Sequence, residues 1–198
     1  MTMSDCGCSS LPTTHLMPVD EAIRRLKEAG LSAAPVVEQV ALSDALGRVL
    51  ASEILAGVDV PPRDNSAMDG YALHTDSLNG IPCTLSISQR IPAGIDPLPL
   101  QPGTAARIFT GAVIPPGANA VIMQENTCQD QEGRITFRLG CAVGENIRRA
   151  GQDIRAGTSI LSGGERLGPA AIGMLASLGF ATVPVYRKLR VAVLSTGD

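Results

Sequence analysis

The chain has 198 residues, a formal net charge of -3, and only 3% aromatic residues with no tryptophan. This length allows one large domain or two smaller ones with buried cores, and the acidic balance with few stacking platforms argues against a nucleic-acid partner. Because the sequence contains neither an apolar run of membrane-spanning length nor a signal-peptide pattern, we expect a cytoplasmic protein with no membrane partner.

The N-terminal end is rich in Ser and Gly and contains Cys6 and Cys8. A lone Cys-x-Cys could bind a soft metal, but we expect a disordered lead over residues 1–16. The five cysteines are an odd number at scattered positions, so reduced thiols are expected rather than a disulfide framework.

A helix is predicted over residues 18–29. Val19, Ala22, Ile23 and Leu26 would lie on one face, and Gly30 is expected to end the helix. After it we predict a strand at 36–40, a helical turn at 43–46 closed by Gly47, and a second strand at 49–54.

The pattern changes to short β-prone pieces separated by turn signals over residues 57–157. No helical period extends beyond one turn there, which indicates a β-rich domain. The clearest strands are predicted at residues 84–88, 105–109, 120–124 and 134–139.

A second helix is predicted at residues 169–178, with Pro169 in the first turn, Ile172, Leu175 and Ala176 as the buried stripe, and Gly179 as the stop.

Residues 188–198 are different, because a continuous apolar run leads into a small polar loop. That pattern is typical of the first strand of a parallel α/β domain, which needs neighbours on both edges, so we expect a truncated chain.

These elements predict an α+β, multi-lobed fold in which a barrel-like β domain is inserted into a helix-bearing lobe made from both ends of the chain. The predicted divisions are a disordered lead at 1–16, a helix-bearing domain at 17–56 with 158–188, an inserted β domain at 57–157, and the start of a truncated α/β domain at 189–198.

The segment 64–72 is the most chemically suggestive, because it contains Asp64, Asn65, Ser66 and Asp69 before a glycine. A proline pair precedes it and favours an extended entry into a rigid, exposed loop. An ordinary Asx-rich turn and a site for a cation or polar ligand explain this composition about equally well.

Four segments in order resemble the molybdopterin molybdenumtransferase family, which includes the MoeA and gephyrin E-domain proteins. They are residues 62–72, residues 107–112 (Arg-Ile-Phe-Thr-Gly-Ala), residues 146–154 (Asn-Ile-Arg-Arg-Ala-Gly-Gln-Asp-Ile) and the terminal Ser-Thr-Gly-Asp at 195–198. The resemblance runs from about residue 17 to residue 198 and corresponds to the N-terminal portion of a family member.

The resemblance implies an enzyme of molybdenum cofactor biosynthesis that inserts molybdate into adenylylated molybdopterin and releases AMP with the help of Mg²⁺. It also implies a homodimer, contact with the molybdopterin adenylyltransferase, and a site shared with a molybdopterin-binding domain that begins near residue 189. This chain would then hold half of that site and be inactive alone. The alternatives are a gephyrin-type scaffold or dimerisation module and a Mg²⁺-dependent phosphohydrolase using Asp64 and Asp69.

The substrates are anionic, so carboxylates beside them require an intervening cation. Each candidate also has a structural alternative: a loop cap, a capped turn or a surface salt bridge. The resemblance assigns catalytic roles to Asp69, Thr110 and Asp153; substrate binding to Asn65, Ser66, Gly111, Arg148, Arg149, Ser195 and Thr196; and metal binding to Asp69, Asp153 and Asp198.

Overall fold

The computed structural model describes residues 17–32, 35–191, 193 and 195. Within these residues the fold is α+β: two α-helices, one six-stranded sheet and three two-stranded sheets. The elements in chain order are α1 Val19–Ser32, β1 Val37–Ala41, β2 Ile54–Leu55, β3 Asn65–Ser66, β4 Gly70–Leu73, β5 Cys83–Ile91, β6 Thr104–Ile108, β7 Ala120–Met123, β8 Thr127–Gln129, β9 Ile135–Phe137, β10 Ile147–Arg148, β11 Ser159–Leu161, α2 Pro169–Ser177 and β12 Thr182–Tyr186.

The two ends of the described chain pack together around one hydrophobic core. Strand β1 pairs antiparallel with β12, and β2 pairs with β11. Leu50, Leu175 and Val183 are fully buried in this core, and helix α2 covers it. Arg48, also buried there, forms a salt bridge with Glu38 and donates to the Tyr186 carbonyl at 2.8 Å.

The six-stranded sheet has the order β7-β4-β6-β5-β9-β8, and only the β5–β6 pair is parallel. Successive residues of its strands enter different cores: Ala72 belongs to one cluster and Leu73 to another. Side chains alternate across a strand, so this sheet is buried on both faces. The predicted strands at 84–88, 105–109, 120–124 and 134–139 are confirmed as β5, β6, β7 and β9: the last three agree within two residues at each end, and β5 runs three residues further than predicted, to Ile91.

Both predicted helices are confirmed, with differences in detail. Helix α1 continues through Gly30 to Ser32, so the predicted stop is wrong; Gly30 has open space around it and no positive φ. The apolar face predicted for α1 is largely exposed, with Val19 and Leu26 each 73% accessible. In α2, Leu175 is buried but Ala176 is exposed, since the contact face is narrower than predicted.

The predicted terminal strand is absent from the residues described between 188 and 195, and Leu189, Val191 and Val193 are exposed. An apolar strand needs a hydrogen-bonding neighbour, and no described segment pairs with this one. The predicted lead at 1–16, Thr196 and Asp198 lie outside the described residues. No described helix is long and apolar enough to cross a membrane.

Candidate functional site

Strand β3 brings the separate sequence motifs together. On one side, the Ser66 N–H donates to the Ala112 carbonyl at 2.9 Å and the Gly111 N–H donates to the Ser66 carbonyl at 2.8 Å. On the other side, β3 pairs antiparallel with β10, so that Arg148 lies opposite Asn65. Three segments far apart in the sequence therefore form one surface beside the six-stranded sheet.

Asp69 and Thr110 share two hydrogen bonds on this surface. The Oδ1 atom of Asp69 accepts hydrogen bonds from the Thr110 N–H and from its hydroxyl, both at 2.8 Å. The Thr110 N–H, then its hydroxyl, and the nearby Arg107 charge hold the pKa of Asp69 below its ordinary value. The carboxylate is thus ionised at neutral pH, and Oδ2 has no hydrogen-bond partner among the described residues.

Arg107 organises the neighbouring backbone. Its guanidinium donates to the Gly70 carbonyl at 3.1 Å and to Oε1 of Gln124 at 2.5 Å. The Gln124 N–H in turn donates to the Asp69 carbonyl at 3.1 Å. The predicted site residues include neither Arg107 nor Gln124. The sequence does hold one signal for Arg107: this positively charged residue lies two positions before Phe109 on a strand, so both side chains are expected on the same face, next to the Thr110-Gly111 turn.

A second group of charged side chains lies along β10 and the loop after it. Asp64 accepts from the Arg149 guanidinium at 2.5 Å and from the Ala150 N–H at 2.8 Å. Partial burial opposes ionisation of Asp64, but these two donors outweigh it and keep its pKa below the ordinary value. Both carboxylate oxygens of Asp64 are therefore engaged by the protein.

Asp153 pairs with Arg148 at 2.5 Å rather than with Asp69, and its N–H donates to the Val60 carbonyl at 2.9 Å. Both charged side chains are more than 40% exposed. Asp153 therefore forms the surface salt bridge that the sequence analysis gave as the structural alternative to a role in ligand binding. Asp153 belongs to the group on β10 and its loop, whereas Asp69 and Thr110 belong to the sheet.

The two neutral candidates on β3 differ. Ser66 is 1% exposed, and its hydroxyl donates to the Met68 carbonyl at 2.6 Å, so the loop itself accounts for this hydroxyl. Asn65 has a buried Oδ1 without a hydrogen-bond partner. An unsatisfied buried oxygen is uncommon and costly, so Asn65 is the better candidate for a polar ligand of the two.

The segment 64–72 was predicted to be an exposed loop, and this is wrong for its second half. Gly70–Leu73 is strand β4 in the interior of the sheet, between β6 and β7. The polar residues before it end at Asp69, which directly precedes this strand and is partly exposed. Ser195 is exposed.

The described residues contain no group of three His, Cys, Asp or Glu side chains placed to hold a metal ion. Mg²⁺ commonly uses only one or two carboxylates and keeps several waters. Asp69 fits that limited role through its free Oδ2. Asp153 also keeps one carboxylate oxygen, Oδ1, without a hydrogen-bond partner among the described residues, while its Oδ2 pairs with Arg148.

Fold and site together define a β-rich lobe that presents a carboxylate, a hydroxyl and guanidinium groups, a combination suited to an anionic ligand with a cation. The sequence matches the family described as "MoeA N-terminal region (domain I and II)" over residues 17–179, and the chain belongs to this family. The resemblance inferred from the four motifs is thereby confirmed.

Named relatives agree with this family. A molybdopterin molybdenumtransferase of Haemophilus influenzae is 41% identical over 184 residues, covering 92% of this chain and 45% of the relative. Molybdopterin molybdenumtransferase 2 of Mycobacterium tuberculosis is 42% identical over 164 residues, covering 80% and 40%. The chain spans about half the length of these curated relatives.

A solved structure shares the fold. The molybdopterin biosynthesis MoeA protein of Pyrococcus horikoshii OT3 superposes with a TM-score of 0.71 at 37% identity, covering 76% of this chain and 41% of that one. The α+β class is therefore confirmed, whereas the barrel-like description and the domain boundaries stay predictions.

Proposed function

We propose that this chain acts in molybdenum cofactor biosynthesis, as part of an enzyme that inserts molybdate into adenylylated molybdopterin and releases AMP. Its relatives named molybdopterin molybdenumtransferase support the reaction. The observation that carries the proposal is the Asp69–Thr110 contact beside Arg107, because it keeps an ionised carboxylate next to a positive charge on an exposed surface.

In this proposal each described residue has a limited task. Thr110 fixes Oδ1 of Asp69 with two hydrogen bonds, which leaves Oδ2 directed away from that contact. Arg107 offsets negative charge at the site, and Asn65 offers a neutral acceptor. A bound Mg²⁺ would reduce the repulsion between Asp69 and the phosphoanhydride of the substrate.

Binding of adenylylated molybdopterin tests the proposal, measured by calorimetry with and without Mg²⁺. Asp69→Asn keeps an oxygen that accepts the Thr110 hydrogen bonds but removes the charge. We expect the melting temperature to change little and the Mg²⁺-dependent part of the affinity to fall about tenfold or more, the effect of losing one charge-assisted contact. Equal binding by Asp69→Asn, or binding indifferent to Mg²⁺, would refute the assignment.

A gephyrin-type assembly role is the second candidate. A relative named Gephyrin from Dictyostelium discoideum is 34% identical over 197 residues, and the apolar stripe of α1 is exposed in the described chain. The stripe favours self-association, in agreement with a homodimer. The phosphohydrolase alternative is weaker, because Arg149 and Ala150 occupy both carboxylate oxygens of Asp64. Cytoplasmic location and contact with the adenylyltransferase stay predictions.

A further inference from the structure

Two arginines lie directly opposite each other on the parallel strands β5 and β6. Arg90 is the register partner of Arg107, and each guanidinium carbon lies 4.6 Å from the centre of the Phe109 ring. The Phe109 N–H donates to the Ile91 carbonyl at 3.3 Å, so the strand pairing continues to the ring. Two positively charged guanidinium groups thus contact the same aromatic ring.

This arrangement is electrostatically unfavourable by itself, because like charges directly opposite on neighbouring strands repel each other. The hydrogen bonds of Arg107 go to two neutral oxygens, of Gly70 and Gln124, although Asp69 lies close enough for Arg107 to lower its pKa. Arg90 is exposed, and its guanidinium makes neither a hydrogen bond nor an ion pair in the described chain. Its charge therefore has no local counterpart, and all of its N–H donors are free.

Arg90 also lies at the edge of the site already described. The segment after β5 passes beside the Thr110-Gly111 turn. A methyl group added at Gly111 would lie 4.0 Å from the Ala93 side chain, which shows how near the two segments are. Gly111 has a φ of 80°, a backbone conformation that glycine adopts more readily than residues with a side chain. Arg90 contacts the ring of Phe109, which directly precedes Thr110, so its exposed guanidinium lies next to the turn that holds the Asp69–Thr110 contact.

We propose that Arg90 is an oxyanion-binding residue, whose guanidinium, stacked on Phe109 beside Arg107, binds phosphate oxygens of the anionic substrate. A planar guanidinium matches two oxygens of one phosphate at once. Stacking on Phe109 holds the fork in place before the ligand arrives. The identity of the natural ligand as a phosphoanhydride rests on the proposed function, whereas affinity for a simple phosphate does not.

Inorganic pyrophosphate is the probe, titrated into the 198-residue chain at low salt while the arginine Nε–H signals are followed by NMR. We expect saturable shifts at Arg90 and Arg107, and an affinity about tenfold lower in Arg90→Gln, as for loss of a charge-assisted contact. Arg138→Gln is the matched control, because Arg138 is also exposed and its side chain has no partner in the described chain; this variant should bind within twofold of the unaltered protein.

The melting temperature separates binding from a purely structural role. Arg90→Gln removes a like-charge repulsion and also the stacking on Phe109, so its melting temperature should change little; a clear drop with unchanged pyrophosphate affinity would overturn the proposal. Absence of pyrophosphate binding, or equal binding by Arg90→Gln, would do the same.

If pyrophosphate binds through Arg90 but adenylylated molybdopterin does not bind, the proposed function fails and the oxyanion site stands. If adenylylated molybdopterin binds equally well to Arg90→Gln, the proposed function stands and the role of Arg90 fails.

Discussion

Asp69 shows how one side chain can serve both the loop and a ligand. Its Oδ1 is committed to Thr110, and its Oδ2 is free among the described residues. Because the folded pKa is lowered, the stabilisation from this contact is fully present above the ordinary carboxyl pKa of about 3.9 and is lost as the pH falls through the folded pKa. At neutral pH the charge is available without a folding penalty.

Thr110→Val tests the origin of that lowered pKa. The variant keeps the backbone N–H donor and removes the hydroxyl, so the pKa of Asp69 should rise toward its ordinary value without reaching it. The measurement is an NMR titration of the Asp69 carboxyl carbon.

Thr104→Val is the control for this titration, since the Thr104 hydroxyl bonds Gln101 and Ser88 rather than the site. It should leave the Asp69 titration unchanged. An Asp69 pKa that does not move in Thr110→Val would mean that the hydroxyl contributes nothing to the carboxylate's environment.

At the residue scale, the structure brings some of the candidate residues into contact and separates others, while their roles stay predictions. Asp69 and Thr110, which the sequence predicts to act together, share two hydrogen bonds. Asp153 instead meets Arg148, because both lie near the pairing of β10 with β3 and the crossing at Val60. Neither contact follows from local spacing: Asp69 and Thr110 are 41 residues apart, and the loop that contains Asp153 is anchored by a contact between Asp64 and Arg149, which are 85 residues apart.

At the level of elements, β4 depends on a glycine. A methyl group at Gly70 would lie 2.1 Å from the Ile122 carbonyl oxygen of β7, far inside contact distance. Glycine usually weakens a strand, so a sequence pattern argues against β structure at this position. Its requirement is visible only once β7 lies beside β4, which explains why the segment was predicted as a loop.

Gly70→Ala should separate β4 from β7 and lower the free energy of unfolding by roughly 3 kcal/mol or more. Chemical denaturation followed by circular dichroism measures the loss. The matched control is Gly173→Ala in α2, where nothing lies within 4 Å and φ is not positive; there alanine should stabilise by roughly 0.5–1 kcal/mol. A Gly70→Ala protein as stable as the unaltered chain would contradict the close approach of the two strands.

Both helices and the strands β5, β6, β7 and β9 were predictable from their apolar segments and the turn signals between them, whereas the central strand β4 and the two-residue strands β3 and β10 were not. The pairs β3–β10 and β2–β11 contain too few residues to show any period. Strand β12 was missed as well; Pro184 in its interior argues against a strand. It pairs with β1 along one edge, and on its other edge Val185 forms a single bridge with Leu50.

At the level of the whole molecule, the hydrophobic residues form separate clusters. One cluster joins the two ends of the described chain, and two others lie on the faces of the six-stranded sheet. The chain crosses between them twice, and the crossings hold each other through a hydrogen bond of 2.7 Å from the Val60 N–H to the Ile154 carbonyl. Such an arrangement predicts that each part opens independently.

Leu175→Ala and Ile135→Ala test this independence, because both side chains are fully buried, in different clusters. Each truncation should cost about 2–5 kcal/mol. Amide hydrogen exchange measured by mass spectrometry should then accelerate by roughly 30-fold or more in only one part. Leu175→Ala should affect β1 and β12, and Ile135→Ala should affect β5 and β6. Equal acceleration of both parts by either variant would show one cooperative unit, and the division into a helix-bearing lobe and an inserted β domain would then describe topology rather than stability.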